Sequence, residues 1–211
     1  MSILTVCDAN VCRSVAAELL LAGEFALHSQ LAGIEVTSRG ANALAAHSAC
    51  RAVVELHDDE QWRRRARAHQ SRQLDEGAIE DADLILTATV STRSAVVSMR
   101  PAARRRVFTL REALWLGAGY RSESGASGDD LVREFAGHLD ASRGLRQPPQ
   151  RRKTPWRAQP EPFDIADGHG GNRRAHTATL AQVQETASGL VRLLVQDPTL
   201  PFLAGRRSAD R

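Results

Sequence analysis

Leu4-Thr5-Val6-Cys7-Asp8-Ala9-Asn10-Val11-Cys12-Arg13-Ser14-Val15-Ala16-Ala17-Glu18 carries both the fold and the chemistry of this chain. A short apolar, β-branched run leads into Cys7, five residues separate Cys7 from Arg13, and a helix pattern follows. The stretch reads as strand, loop and helix N-terminus. At such a junction the backbone N–H groups of the loop converge and the helix dipole adds partial positive charge, which makes an anion site. A thiol in that field is held as thiolate. A lone cysteine after an apolar strand is more often a buried small hydrophobe. Here the five-residue loop returns Arg13 and Ser14 over the sulfur, the first to fork onto two phosphate oxygens and the second to donate to sulfur.

Working outward, strand signals at 3–6, 34–38, 82–87 and 107–110 alternate with helix signals at 14–28, 44–57 and 92–99. Gly33 separates the first helix from the second strand, Arg39-Gly40 ends that strand, 75–81 reads as one short turn, and Pro101 stops the helix before it. This order predicts a three-layer α/β/α domain around a four-stranded parallel sheet, flavodoxin-like or Rossmann-like, with its ligand at the carboxyl ends of the strands where Cys7 lies. The second half is less regular. It suggests helices at 111–117 and 131–139 and a Gly/Ser-rich loop at 122–128. Residues 144–162, with five basic residues and four prolines ahead of Pro162, read as an extended connection. An amphipathic helix is expected over 178–195, ended by Asp197-Pro198. The chain thus divides into a single domain over 1–196, in which 113–162 is a helical or irregular insertion, and a basic tail over 197–211.

Composition sets limits. At 211 residues and 42% hydrophobic the chain is long enough to bury a real core. No apolar run approaches the roughly 20 residues of a membrane span, and no leader pattern opens the chain, so a cytoplasmic protein without membrane association is expected. The net charge of +3 suits phosphorylated partners without arguing for nucleic acid. Cation charge is almost all arginine, Lys153 being the single lysine. Cys7, Cys12 and Cys50 are too few for a disulfide framework and have no metal-ligand spacing with the histidines, so neither a metal nor another cofactor is expected.

The loop resembles that of the low-molecular-weight protein tyrosine phosphatases, whose pattern is Cys, two residues, Asn, one residue, Cys-Arg-Ser-Pro. Arg72-Gln73-Leu74, Ala82-Asp83-Leu84-Ile85-Leu86-Thr87 and Val107-Phe108-Thr109-Leu110-Arg111-Glu112 also resemble segments of bacterial members. The resemblance implies a nucleophile at Cys7 and a phosphate cradle of Asp8, Ala9, Asn10, Val11, Cys12, Arg13 and Ser14, with Asn10 pinning the loop. It also implies a general acid in an Asp-Pro-aromatic turn, whose place is taken by Asp167 in Phe163-Asp164-Ile165-Ala166-Asp167-Gly168-His169. Asp-Gly also turns loops routinely, so Asp167 read alone is a cap for the helix beyond or a turn residue, and read together with Cys7, Arg13 and Ser14 it is the acid. Asp164 is an alternative acid three residues earlier.

The sequence departs from that pattern at several places. Gly168 replaces a proline, His169 stands where an aromatic substrate wall is usual, Asp8 sets a carboxylate beside the nucleophile, Ala9 replaces a glycine, and Val15 a proline. A carboxylate there opposes thiolate and phosphate unless it points away, and Ala9 is strained if the loop demands positive φ. Cys12 has two readings, a buried loop residue or a disulfide partner that shields Cys7. Trp62 with the arginines of 63–67 reads either as a rim for acidic substrates or as a solvated helix face.

What the resemblance implies is metal-free hydrolysis of a phosphate monoester, foremost phosphotyrosine in a protein or else a small aryl or alkyl phosphate, releasing inorganic phosphate. The alternatives are a weakly active phosphate-binding scaffold, an arsenate reductase, which would need further cysteines after Cys50, and a phosphoarginine phosphatase, which would usually have threonine in place of Val11.

Overall fold

The computed structural model describes residues 2–122, 127–149, 161–197 and 199. Four strands, β1 (Ser2–Cys7), β2 (Glu35–Gly40), β3 (Ala82–Thr87) and β4 (Val107–Thr109), form one sheet in the order β2-β1-β3-β4. All pairs are parallel, and Cys7 stands opposite Gly40 and Val6 opposite Thr87. The expected α/β architecture is therefore present. Side chains alternate across the sheet, as the period of two requires. Ile3, Leu84, Leu86 and Phe108 enter one core cluster, while Leu4, Val6, Ile85 and Val107 enter another.

The first cluster is covered by α1 (Arg13–Phe25), α6 (Leu110–Leu116), α7 (Gly128–Ser142) and α8 (Arg173–Val195), with α2 (Arg51–Val54) and α3 (Glu60–Ala68) at its edge. The second is covered by α4 (Glu76–Asp81), α5 (Val90–Met99) and a 3₁₀ turn, Pro101–Arg106. Short polar residues start most of these helices by accepting free backbone N–H groups. Asp59, Asp75, Thr89 and Asn172 cap α3, α4, α5 and α8, and Thr109 with Glu112 makes a full capping box on α6. At α1 the N-cap is Cys12, whose side chain caps nothing.

One expectation is corrected. Residues 44–57 form a loop with only Arg51–Val54 helical, because Leu44 is exposed, Ala46 takes a φ of 63° and Ser71 binds the backbone of Leu44 and His47. Tertiary hydrogen bonds there override a helical pattern. Of the two readings of 62–67, the rim loses Trp62, which is buried and donates its Nε1 to the Val53 carbonyl. Within the stretch 113–162, α7 sends Leu131, Val132, Phe135 and Leu139 into the main cluster. Parts of the expected loop at 122–128 and connection at 144–162, and most of the basic tail, lie outside the described residues.

Candidate active site

The site is built where β1 ends. Cys7 is buried, and its Sγ lies 3.0 Å from the Ser14 Oγ in the first turn of α1. Asn10 Nδ2 donates to the same Ser14 oxygen at 3.0 Å and to the Ser38 Oγ at 2.8 Å. With a donor already on its oxygen, the Ser14 hydroxyl is free to turn its proton toward sulfur. Asn10 also accepts from the Arg72 N–H at 2.9 Å, while its carbonyl meets the His69 Nε2 at 2.8 Å. It is fully buried and carries the loop's left-handed backbone, φ 55°. The positive φ sits at Asn10, which tolerates it, and Ala9 escapes the expected strain.

The loop's backbone polarity is sorted. The carbonyls of Cys7, Asp8, Val11 and Cys12 accept from the N–H groups of Ala41, Asn42, Cys50 and Ala16, at 2.8–2.9 Å. Among the described residues, no backbone N–H from Asp8 to Cys12 donates to a protein group. Outward carbonyls and undonated amides ahead of an uncapped helix N-terminus are the arrangement that binds a phosphate. Asp8 does not spoil it. Its carboxylate is exposed and accepts from the Asn42 Nδ2 at 2.7 Å. Gly40 permits the close approach, since a Cβ there would meet the Asp8 carbonyl at 2.7 Å and the Asn10 nitrogen at 2.9 Å.

Arg13, 4% exposed, reaches across to the loop before α8. Its two terminal nitrogens donate to the Ile165 carbonyl at 3.1 Å and to the Asp167 Oδ2 at 2.8 Å. Its buried Nε has no partner in the protein, a donor left for an anion. The other Asp167 oxygen accepts from the His169 N–H at 2.8 Å. The loop is held by the Ile165 N–H on the Ala88 carbonyl at 2.9 Å and the Thr179 hydroxyl on the Ala166 carbonyl at 3.0 Å. Gly168 packs on α8 so closely that a Cβ would lie 2.5 Å from both the Ala175 carbonyl and the Thr179 Oγ1. No proline fits there, so the departure at this position has a steric cause. Asp164 is engaged elsewhere, accepting from the Val90 N–H at the start of α5 at 2.7 Å.

Cys12 Sγ lies 3.0 Å from the His176 Nε2, and Cys50 Sγ lies 3.5 Å from the same nitrogen. His169, exposed, packs edge-on against His176 with ring centroids 5.3 Å apart. The Cys50 thiol is lowered to about 5, first by the Cys12 hydrogen bond, whereas the same contact and burial raise Cys12. Residues without metal-ligand spacing in the sequence are thus brought together in three dimensions. Linear spacing finds ligands on one local motif, and these four residues come from separate elements. His176 and Cys50, like Gly40, Ser38 and His69, had no local signal in the sequence.

Residues 2–120 match the family model of the low molecular weight phosphotyrosine protein phosphatases. A protein-arginine-phosphatase of Bacillus subtilis (strain 168) is 31% identical over 152 residues, 69% of this chain and 87% of the relative. A probable low molecular weight protein-tyrosine-phosphatase, EpsP of Ralstonia nicotianae, is 32% identical over 114 residues, 53% of this chain and 71% of the relative. Among solved structures, the YwlE arginine phosphatase from Geobacillus stearothermophilus is similar with a TM-score of 0.60 at 25% identity, covering 93% of this chain and 94% of that one. Wzb of Vibrio vulnificus in complex with benzylphosphonate gives 0.59 at 19% identity, with 90% and 97% covered, a likeness of fold alone.

Proposed function

The chain belongs to the low molecular weight phosphotyrosine protein phosphatase family and is a cysteine-dependent phosphatase; from that premise we propose that it dephosphorylates phosphotyrosine in proteins, with Cys7 as nucleophile and Asp167 as general acid. The Cys7 thiolate attacks phosphorus in line, forming the P–S bond as the P–O bond to the leaving group breaks. The loop amides and Arg13 hold the equatorial oxygens, stabilising the charge that gathers there without need of a metal. Asp167 gives its proton to the leaving oxygen. It then takes one from the water that cleaves phosphocysteine, and inorganic phosphate departs.

The observation that supports this reading best is the loop from Cys7 to Ser14, with its amides undonated, its carbonyls engaged and Arg13 returning to Asp167. Asp167 is half exposed at the mouth of the site, where a leaving group passes, while Asp164 is spent on α5. An apolar Val11 packed on the core favours an aryl phosphate. A second reading, phosphoarginine, draws on the arginine phosphatase relative, which covers more of the chain than the tyrosine phosphatase does, and on the imidazole of His169 in place of an aromatic wall.

Turnover of phosphotyrosine and phosphoarginine peptides tests the choice between them. Cys7→Ser abolishes both reactions while retaining oxyanion binding, and undiminished activity in that variant overturns the mechanism. Asp167→Asn lowers phosphotyrosine hydrolysis by roughly 10²–10⁴-fold, the worth of a positioned acid, but spares p-nitrophenyl phosphate, whose phenolate leaves unprotonated. Asp164→Asn shows no such dependence on the leaving group. Equal small losses on both substrates for Asp167→Asn reduce that residue to a loop-turning partner of Arg13 and the His169 N–H.

A further inference from the structure

Four side chains beside the site are used by none of the steps above. Cys12 is the N-cap of α1, Cys50 the N-cap of α2, His176 lies in the first turn of α8, and His169 follows Asp167 by two residues. One donor atom from each lies within 4.8 Å of every other. We propose that Cys12, Cys50, His169 and His176 form a Zn²⁺ site that ties the phosphate loop to the loop bearing Asp167. The inference does not depend on which phosphate the enzyme cleaves, nor on Cys7.

The donor set points to the metal. Two thiolates and two imidazoles suit Zn²⁺, and the absence of a carboxylate from the group disfavours Mg²⁺ or Ca²⁺. Tetrahedral zinc, with Zn–S near 2.3 Å and Zn–N near 2.0–2.1 Å, sets its donors roughly 3.3–3.8 Å apart. His176 Nε2 already stands 3.0 and 3.5 Å from the two sulfurs. Even a pair at the 4.8 Å limit needs to close by only about 1–1.5 Å. Two thiolates neutralise the ion, so a partly buried site gains no net charge. Any proton still held on the two sulfurs leaves as the metal enters.

The backbone makes these four a clamp rather than a surface cluster. The Cys50 N–H holds the Val11 carbonyl at 2.8 Å, so α2 is already fastened to the phosphate loop. The His169 N–H holds Asp167, so a metal on the His169 ring fixes the carboxylate that meets Arg13. Zinc would therefore order residues 165–171 over the loop.

The test uses the full chain freed of metal by a chelator and titrated with Zn²⁺ against a chromophoric competitor, and separately with Co²⁺. The wild type binds one Zn²⁺ per chain, and Co²⁺ gives sulfur-to-metal charge transfer with the strong visible bands of a tetrahedral site. Cys50→Ser and His176→Asn weaken binding by at least the roughly 100-fold that even an outer-shell partner can be worth. Cys7→Ser binds as the wild type does. Zinc also slows hydrogen exchange at His169 and Gly171 in the wild type and not in Cys50→Ser, and metal-free thermal melts show both variants folded. Failure to bind Zn²⁺ stoichiometrically overturns the proposal. So does binding that survives Cys50→Ser and His176→Asn but vanishes in Cys7→Ser, which places the ion on the nucleophile.

Discussion

Asn10 shows how much one side chain settles in this protein. It turns the loop by adopting φ 55°, orients Ser14 toward Cys7, and bonds Ser38 and Arg72 from two other segments. Asn10→Ala removes the acceptor of the Arg72 N–H and leaves the buried Ser38 hydroxyl without its Asn10 donor, an unsatisfied buried group costing about 1–3 kcal/mol. It also asks alanine to hold a left-handed conformation, which costs roughly a further 1–2 kcal/mol. The expected result is a clear fall in Tm and a larger loss of kcat than the loss of stability alone gives at temperatures where the variant is folded. A variant that melts early yet keeps wild-type kcat would separate the loop's geometry from catalysis. The Cys-to-Arg spacing and the asparagine were legible in the chain because strand, loop and helix are contiguous there. Ser38, Gly40, His69 and Arg72 act on the loop from 28 to 62 residues away, and no local pattern announces a partner at that distance.

At the scale of elements, the loop before α8 explains why the family's proline is missing. Its rigidity comes from contact: Ile165 on Ala88, Thr179 on Ala166, and Gly168 seated against the Ala175 carbonyl. Gly168→Ala inserts a methyl group 2.5 Å from the Ala175 carbonyl and the Thr179 hydroxyl oxygen, so the loop must lift and carry Asp167 off Arg13. Phosphotyrosine turnover should drop on the order of 10²-fold, as for loss of the acid, with a shift in melting small by comparison, since Ile165, which anchors the loop in the core, is untouched. Gly168→Pro, although closer to the family pattern, should be no better. Wild-type turnover in Gly168→Ala would mean that the acid is positioned by something other than this packing. The strands were read within one or two residues because apolar, β-branched runs bounded by glycine and charge have few other readings. The helix expected over 44–57 was not, because its alanines suit a helix as well as a loop, and the Ser71 and Gln73 bonds that decide the matter come from another segment.

For the whole molecule, the question is whether the chain beyond β4 is an appendage or part of one cooperative body. Gly117 lets α6 pass close to both neighbours, a Cβ there lying 2.8 Å from Leu193 of α8 and 3.0 Å from Phe135 of α7. Tyr120 stacks edge-on with Phe135 at 5.0 Å and donates to Glu134 at 2.8 Å. Arg143, just past α7, lies 4.0 Å over the ring of Phe108 in the β4 strand and pairs with Glu112 at 3.5 Å. In sequence, the stretch 113–162 reads as added length, because its apolar residues are spaced for helices without saying what those helices cover. In the fold, α7 closes the end of the sheet face that α1 and α8 leave open. Phe135 is fully buried, so Phe135→Ala should destabilise the protein by about 3–5 kcal/mol, as large-to-small changes in a core do. If α7 belongs to the single core, urea unfolding followed by far-UV circular dichroism and by tryptophan fluorescence will give coincident curves, shifted to a lower midpoint with unchanged slope. Trp62 and Trp115 make the fluorescence signal report from two regions of that core. A loss below about 1 kcal/mol, small beside a core cavity's usual cost, or two separate transitions would instead make α7 an independent attachment on a smaller domain.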